Sequence, residues 1–209
     1  MEKLLIIAIG AIFISNFVFS RFLGICPYIG VSKSLDSAIG MGMAVIFVMT
    51  LASTVTWLIN TYFLQPTESN LFYILFAEKI DLSYLRTIAF ILVIASLVQF
   101  VEMVIQKVSP TLYSSLGIYL PLITTNCAIL GVAILNFDNI DRPYNFIESI
   151  VHGFTAGIGF TLALVLMAGI REKLEMAPVP RPLQGIPIAF IMAGLMAIAF
   201  LGFSGLSID

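Results

Sequence analysis

The 209-residue chain contains two cysteines, and both stand in the same frame: Cys26-Pro-Tyr-Ile-Gly30-Val31 and Cys127-Ala-Ile-Leu-Gly131-Val132. Each lies in an apolar stretch. A thiol repeated in a Cys-x-x-x-Gly-Val frame, one half-chain apart, has the look of half of a symmetric metal-cluster site. Chain breakers gather at both positions: Gly24, Pro27 and Gly30 around the first, and Pro121, Thr124, Thr125, Asn126 and Gly131 around the second. Such residues interrupt a helix, and interrupted backbone at membrane depth is tolerated only where protein buries it or it lines a cavity. The plainer explanation is that Gly and Pro are common in membrane helices and that free cysteine packs as a small hydrophobe.

Two inward-facing thiols allow several chemistries. A disulfide is the weakest, since hydrocarbon offers little redox machinery and the bilayer already fixes the chain. A metal suits them better, but tetrathiolate zinc and iron–sulfur sites take four thiolates and this chain has two, so a second protein chain must supply the rest. His152 is the sole histidine; it is expected near the outer end of a span as an interfacial residue. Half-helices restarting after each Cys-x-x-x-Gly would present free N–H groups and a favourable dipole to an anionic cluster. Gly30 and Gly131 would then let backbone approach the inorganic sulfur. Zinc accounts for the ligands but not for their mid-membrane position, whereas electron transfer across a bilayer gives that position a purpose.

The elements that hold these thiols follow from composition. Hydrophobic residues make up 60% of the chain and charged residues 11%, against roughly 25% charged in soluble domains, and mean hydropathy is +1.07. This is an all-α integral membrane protein. Apolar stretches run approximately Leu4–Ile25, Ala38–Leu64, Thr87–Ile105, Ile118–Phe137, Ile150–Ile170 and Pro187–Ile208, each near the ~20 residues a spanning helix needs. Six transmembrane helices are expected. The first run is too long for a secretory signal and has no small-x-small cleavage site, so it is expected to stay in the mature protein. A net charge of −2 with no basic run excludes nucleic acid as a partner.

Arg21, Lys33, Lys107, Arg171, Lys173 and Arg181 fall on one side of the six spans, and Lys3, Lys79, Arg86 and Arg142 on the other. The positive-inside rule makes the first side cytoplasmic and places both termini outside. Ile88-Ala-Phe-Ile91 with Phe100 recurs as Ile188-Ala-Phe-Ile191 with Phe200, at nearly the offset that separates the cysteines. Two matches at one offset indicate a duplicated three-span unit, and an odd number of spans makes the second copy inverted. The expected architecture is one polytopic domain over residues 1–209. Repeat one covers about 1–108 and repeat two about 109–209, with broken half-helices around the cysteines.

Several segments together carry a family resemblance. Phe22-Leu-Gly-Ile-Cys26-Pro-Tyr-Ile-Gly-Val-Ser-Lys33, Gln99-Phe-Val-Glu-Met103, Ser109-Pro-Thr-Leu-Tyr113 and Leu116-Gly-Ile-Tyr-Leu-Pro-Leu-Ile-Thr-Thr-Asn-Cys-Ala128 are four of them. Gly169-Ile-Arg-Glu-Lys173 and Ala193-Gly-Leu-Met196 with Phe203-Ser-Gly205 complete the set. They resemble the A subunits of Rnf ion-translocating oxidoreductases, a family close to the E subunits of sodium-translocating NADH:quinone oxidoreductases. Pro27 after Cys26, and Gly30-Val-Ser, are more similar to the Rnf version. The stretches Gln65–Ser83 and Asp138–Asn145 look longer than in short family members.

The resemblance implies a [2Fe–2S] cluster with two ligands from this chain, matching Cys26 and Cys127, and two from the homologous membrane protein of the same complex, its E subunit. Gly24, Pro27, Gly30, Thr125, Asn126 and Gly131 would support the cluster loops. It implies further partners in the B, C, D and G subunits, with flavins and other iron–sulfur centres on those partners only, and a bacterial cytoplasmic membrane. The complex would pass electrons between reduced ferredoxin and NAD while moving Na⁺ or H⁺. The chain itself has no dinucleotide fingerprint and no C-x₂-C-x₂-C motif.

Glu102, with Gln99 nearly one turn before it, is the candidate for an ion path, because intramembrane acids mark function; packing between subunits is the alternative. Gly40-Met-Gly-Met-Ala44 and Gly153-Phe-Thr-Ala-Gly157-Ile-Gly159 put small residues on helix faces for close packing, and Trp57 fits an interfacial anchor. Val179-Pro-Arg-Pro182 reads as a stiff cytoplasmic connector. Two other function classes share this architecture. A secondary transporter would also use inverted repeats with broken helices, but would need neither thiol; a structural anchor would tolerate Cys26→Ser.

Overall fold

The computed structural model describes residues 2–64, 85–108, 120–138 and 143–203, and the regular elements among them are all helical. Helix α1 (Glu2–Ile9) widens into a π-helical turn over Gly10–Ile14. After a turn the short helix α2 (Ile25–Val31) begins, followed by α3 (Leu35–Ile59), which continues through a second π turn, Asn60–Leu64. Helix α4 covers Arg86–Val108. The pair α5 (Leu120–Thr124) and α6 (Cys127–Leu135) comes next, then α7 (Phe146–Glu175). A 3₁₀ turn at Arg181–Leu183, overlapping the end of the expected connector, leads into α8 (Ile186–Leu201).

Among the described residues, three helices are long and apolar enough to cross a membrane: Leu35–Leu64, Arg86–Val104 and Phe146–Glu175. The apolar helices at Leu122–Leu135 and Ile186–Leu201 are shorter. The first apolar stretch, expected as one span to Ile25, instead stops being helical after Ile14. Asn16 explains the turn: its Nδ2 donates to the carbonyls of Ile12 (3.0 Å) and Gly159 (2.8 Å), and its Oδ1 accepts from the Val18 N–H at 3.0 Å. A buried amide that satisfies local backbone in this way competes with the helix ladder. The order of elements recurs along the chain. A short cysteine-bearing helix is followed by a 30-residue span and then a shorter apolar helix, as α2–α3–α4 and as α6–α7–α8. Residues 65–83 and 139–142, within the two long links, lie outside the described residues.

Helices α3 and α7 form the centre of the fold. Met41, Val45, Val48, Met49 and Ala52 of α3 are buried with Ala156, Phe160, Ala163, Leu164 and Met167 of α7. Lipid tails are as apolar as these side chains, so close packing rather than water exclusion holds the pair. The small residues make it possible: a Cβ on Gly157 would sit 2.7 Å from Ile46 Cα, one on Gly153 2.7 Å from Ser53 Cβ, and one on Gly42 would collide with Thr161. Gly40, from the same motif, faces open space instead. Against this centre lies α6, whose Ala128, Ile129, Val132 and Ala133 are buried.

Candidate functional site: two cysteine half-helices

Gly24 precedes α2 as its N-cap, in the left-handed region at φ 77°. Its carbonyl accepts the first bond of the helix, from the Tyr28 N–H at 3.2 Å. A Cβ at this position would run into the ring of Phe160 and stand 3.1 Å from Asn126 Oδ1, so both backbone conformation and space call for glycine. The Gly24 N–H donates to Cys127 Sγ at 3.0 Å. Cys26 is only two Cα steps further on, each about 3.8 Å, so the bond brings the starts of the two cysteine helices together.

Asn126 makes the second break. Its N–H donates to the Ile123 carbonyl at 3.2 Å, closing α5, and its carbonyl accepts from the Ile129 N–H at 3.1 Å, opening α6. Its Oδ1 caps the new helix by accepting from the Ala128 N–H at 3.0 Å, the role for which asparagine is favoured. The Asn126 Nδ2 is sealed from solvent and has no hydrogen-bond partner among the described residues. Cys127 is therefore the first residue of α6, and Cys26 the second of α2.

This placement corrects one expectation. The half-helices start at the cysteines, not beyond the glycines, so each Cys-x-x-x-Gly lies within its helix. Gly131 packs against the turn before α2, where a Cβ would be 2.6 Å from Leu23 Cδ1 and 3.3 Å from Phe17 Cε1. Gly30 faces α5, its nearest neighbour being Leu122 Cδ1 at 3.8 Å. Both glycines thus serve packing between segments of the chain. Pro27 is buried in the first turn of α2, where a missing N–H costs no helix bond, and Thr125 is exposed at the break.

Both thiols are exposed. Among the described residues no group of three or more His, Cys, Asp or Glu side chains could hold a metal. Two exposed thiols at adjoining helix starts, with a backbone N–H directed at one sulfur, fit half of a four-thiolate site, the other half of which a second chain would have to supply.

The other candidates lie on helices other than α2 and α6. Gln99 is exposed on α4, and Glu102 is half-buried in a crevice of about 30 Å³ lined otherwise by apolar residues of α3, α4 and α5. His152, expected at the interface, is buried at 8% exposure, and its Nδ1 is 2.8 Å from Asn136 Oδ1. Trp57 is half-buried, and its Nε1 donates to the Tyr144 carbonyl at 2.9 Å.

Further polar contacts carried no sequence signal of their own. Asn136 Nδ2 donates to Ser53 Oγ at 2.7 Å, and Ser53 Oγ donates to the Ser149 carbonyl at 2.6 Å. Arg171 Nη1 donates to the Ile29 carbonyl at 2.7 Å and to Ser32 Oγ at 3.2 Å, while Glu172 Oε1 accepts from the Leu35 N–H at 2.9 Å. The motif Gly169-Ile-Arg-Glu-Lys173 contains the last pair, so the segment was visible although its contacts were not.

Comparison with known proteins extends the match to nearly the whole chain. Residues 4–207 match the model of a family described as "Rnf-Nqr subunit, membrane protein". The chain is 58% identical over 205 residues, 98% of both sequences, to the A subunit of the Na(+)-translocating ferredoxin:NAD(+) oxidoreductase complex of Acetobacterium woodii. It is 55% identical over 206 residues to the A subunit of the ion-translocating oxidoreductase complex of Serratia proteamaculans, covering 99% of this chain and 98% of that one. The same extent is 54% identical to the protein of that name in Syntrophotalea carbinolica. The chain belongs to the Rnf-Nqr family of membrane subunits.

Proposed function

We propose that this protein is the A subunit of an ion-translocating ferredoxin:NAD oxidoreductase and serves as its electron relay within a bacterial cytoplasmic membrane. Cys26 and Cys127 give two thiolates to a [2Fe–2S] cluster, and the homologous E subunit gives the other two. The B, C, D and G subunits carry the flavins and the remaining iron–sulfur centres. The observation that carries this reading is the Gly24 N–H bond to Cys127 Sγ, which joins the starts of the two cysteine helices and leaves both thiols exposed to a partner. Relatives at 54 to 58% identity are all named as A subunits, which supports it over the E subunit of the quinone-reducing complex. The recurring order of elements supports a duplicated unit, which with three spans each would be inverted, and the distribution of Lys and Arg supports both termini outside.

When bound, the cluster supplies one-electron carriage. The chain's own residues hold and insulate that position. Gly24 donates to the Cys127 sulfur, Asn126 starts the helix that carries it, and Phe160, fully buried beneath Gly24, helps exclude water. Glu102 and Gln99 belong to the path of the coupling ion, Na⁺ or H⁺, on a helix separate from the thiols. The test is ferredoxin-dependent NAD⁺ reduction by the assembled complex with Cys26→Ser or Cys127→Ser. The relay requires loss of that activity in each variant. Retention by fully assembled variants would favour a transporter or an anchor.

A further inference from the structure

The two cysteine helices are also fixed at their far ends, and one helix does both. Helix α2 ends at its C-cap Ser32, which is fully buried. Arg171 of α7 reaches this end and donates to Ser32 Oγ and to the Ile29 carbonyl. A cation at a helix C-terminus satisfies orphan carbonyls and suits the dipole.

Helix α6 ends at its C-cap Asn136, also fully buried. Here the polarity of the hydrogen bonds can be worked out. The Ser149 carbonyl can only accept, so the Ser53 hydroxyl donates to it and must accept from Asn136 Nδ2. Asn136 Oδ1 then faces His152 as an acceptor, so His152 carries a proton on Nδ1 and donates it to this bond. His152, like Arg171, belongs to α7.

The dimensions agree. Nineteen helical steps lead from His152 to Arg171, about 28 Å at 1.5 Å per residue, and α2 and α6 laid end to end cover about 24 Å. We propose that α7 is a strut that sets the position of the two thiols, with His152 and Arg171 as positioning residues holding the far ends of α6 and α2. This deepens the relay reading and rests on it for the cluster itself. The neighbouring Glu172 holds a different element, the start of α3, and so provides an internal control. Loss of groups that orient a metal ligand weakens a site even when the ligands remain.

The experiment uses the assembled complex, prepared without oxygen, with Arg171→Gln, Arg171→Lys, His152→Leu and Glu172→Ala. Three quantities are read: the low-temperature EPR line shape and midpoint potential of the cluster, its retention against a chelator, and the yield of a short thiol-to-thiol crosslink between Cys26 and Cys127 after cluster removal. Arg171→Gln and His152→Leu are expected to broaden the signal, shift the potential, lower the crosslink yield and weaken retention about 10-fold or more. Arg171→Lys is expected to restore part of each, and Glu172→Ala to leave all three as in wild type. If Arg171→Gln and His152→Leu match Glu172→Ala in line shape and crosslink yield, the strut is wrong. Should the Gln variant not assemble, a shifted signal in Arg171→Lys but not in Glu172→Ala supports the proposal, and identical behaviour of the two overturns it. A wild-type complex without a cluster would contradict the relay, while the crosslink yields would still decide the strut.

Discussion

Gly24 and Cys127, 103 residues apart in sequence, are joined by a hydrogen bond from a backbone N–H to a thiol sulfur at 3.0 Å. The bond ties the helix that Gly24 opens, carrying Cys26, to the helix that Cys127 opens. Everything proposed about the relay depends on that junction.

Gly24→Ala tests it from the backbone side. Alanine at φ 77° is strained, and its methyl group would meet Phe160; the expected cost is about 1–3 kcal/mol. Thermal unfolding of the purified complex should shift down and iron content should fall with it. An unchanged melting temperature and full iron content would mean that the close approach at Gly24 is not required.

Asn126→Ala removes the cap of α6, and the expected loss is about 1 kcal/mol. Asn126→Ser keeps an oxygen able to accept from the Ala128 N–H and should recover most of it. The comparison is a pair of melting curves on the assembled complex. Equal midpoints for the Ala and Ser variants would show that capping is not the role of this side chain.

Asp138→Asn should do little. The Arg86–Asp138 ion pair is short at 2.6 Å, but the two side chains are 26% and 50% exposed, and pairs of that kind contribute about 1 kcal/mol or less. A melting temperature within about a few degrees of wild type is expected, consistent with so small a term. A large fall would mean that this end of α4 carries more of the fold than its exposure suggests.

The thiols, the breaks beside them and the small-residue faces were legible in the sequence because each is a local pattern. Asn126 sits at the end of a Thr-Thr-Asn run, and Gly153 and Gly157 recur at helical spacing. The contacts that organise the site were not legible. Arg171 meets Ile29 across 142 residues and Asn136 meets Ser53 across 83, and no local spacing encodes such pairings. Helical periodicity gave little help either, since a helix such as Cys127–Leu135 is apolar on every side and its sequence does not say which face turns inward. His152 was misplaced for a related reason. Its position near the start of α7 suggests an interface, but burial there depends on Asn136 from a different helix.

Glu102→Gln separates ion coupling from electron transfer. Glu102 lies on α4, a different helix from that of either cysteine, in an otherwise apolar crevice, and acids within spanning segments mark ion paths. The variant should keep the cluster signal of wild type while lowering Na⁺ or H⁺ uptake into vesicles carrying the complex. Normal uptake would leave packing as the role of Glu102.

The most direct measurement is low-temperature EPR of this protein co-purified with its homologous membrane partner and reduced with dithionite, with iron and acid-labile sulfide assayed on the same samples. Wild type is compared with Cys26→Ser and Cys127→Ser. A [2Fe–2S] signal in wild type that is absent from both variants, with assembly intact, is the expected result. An intact wild-type pair, prepared without oxygen and holding no cluster, would contradict the relay.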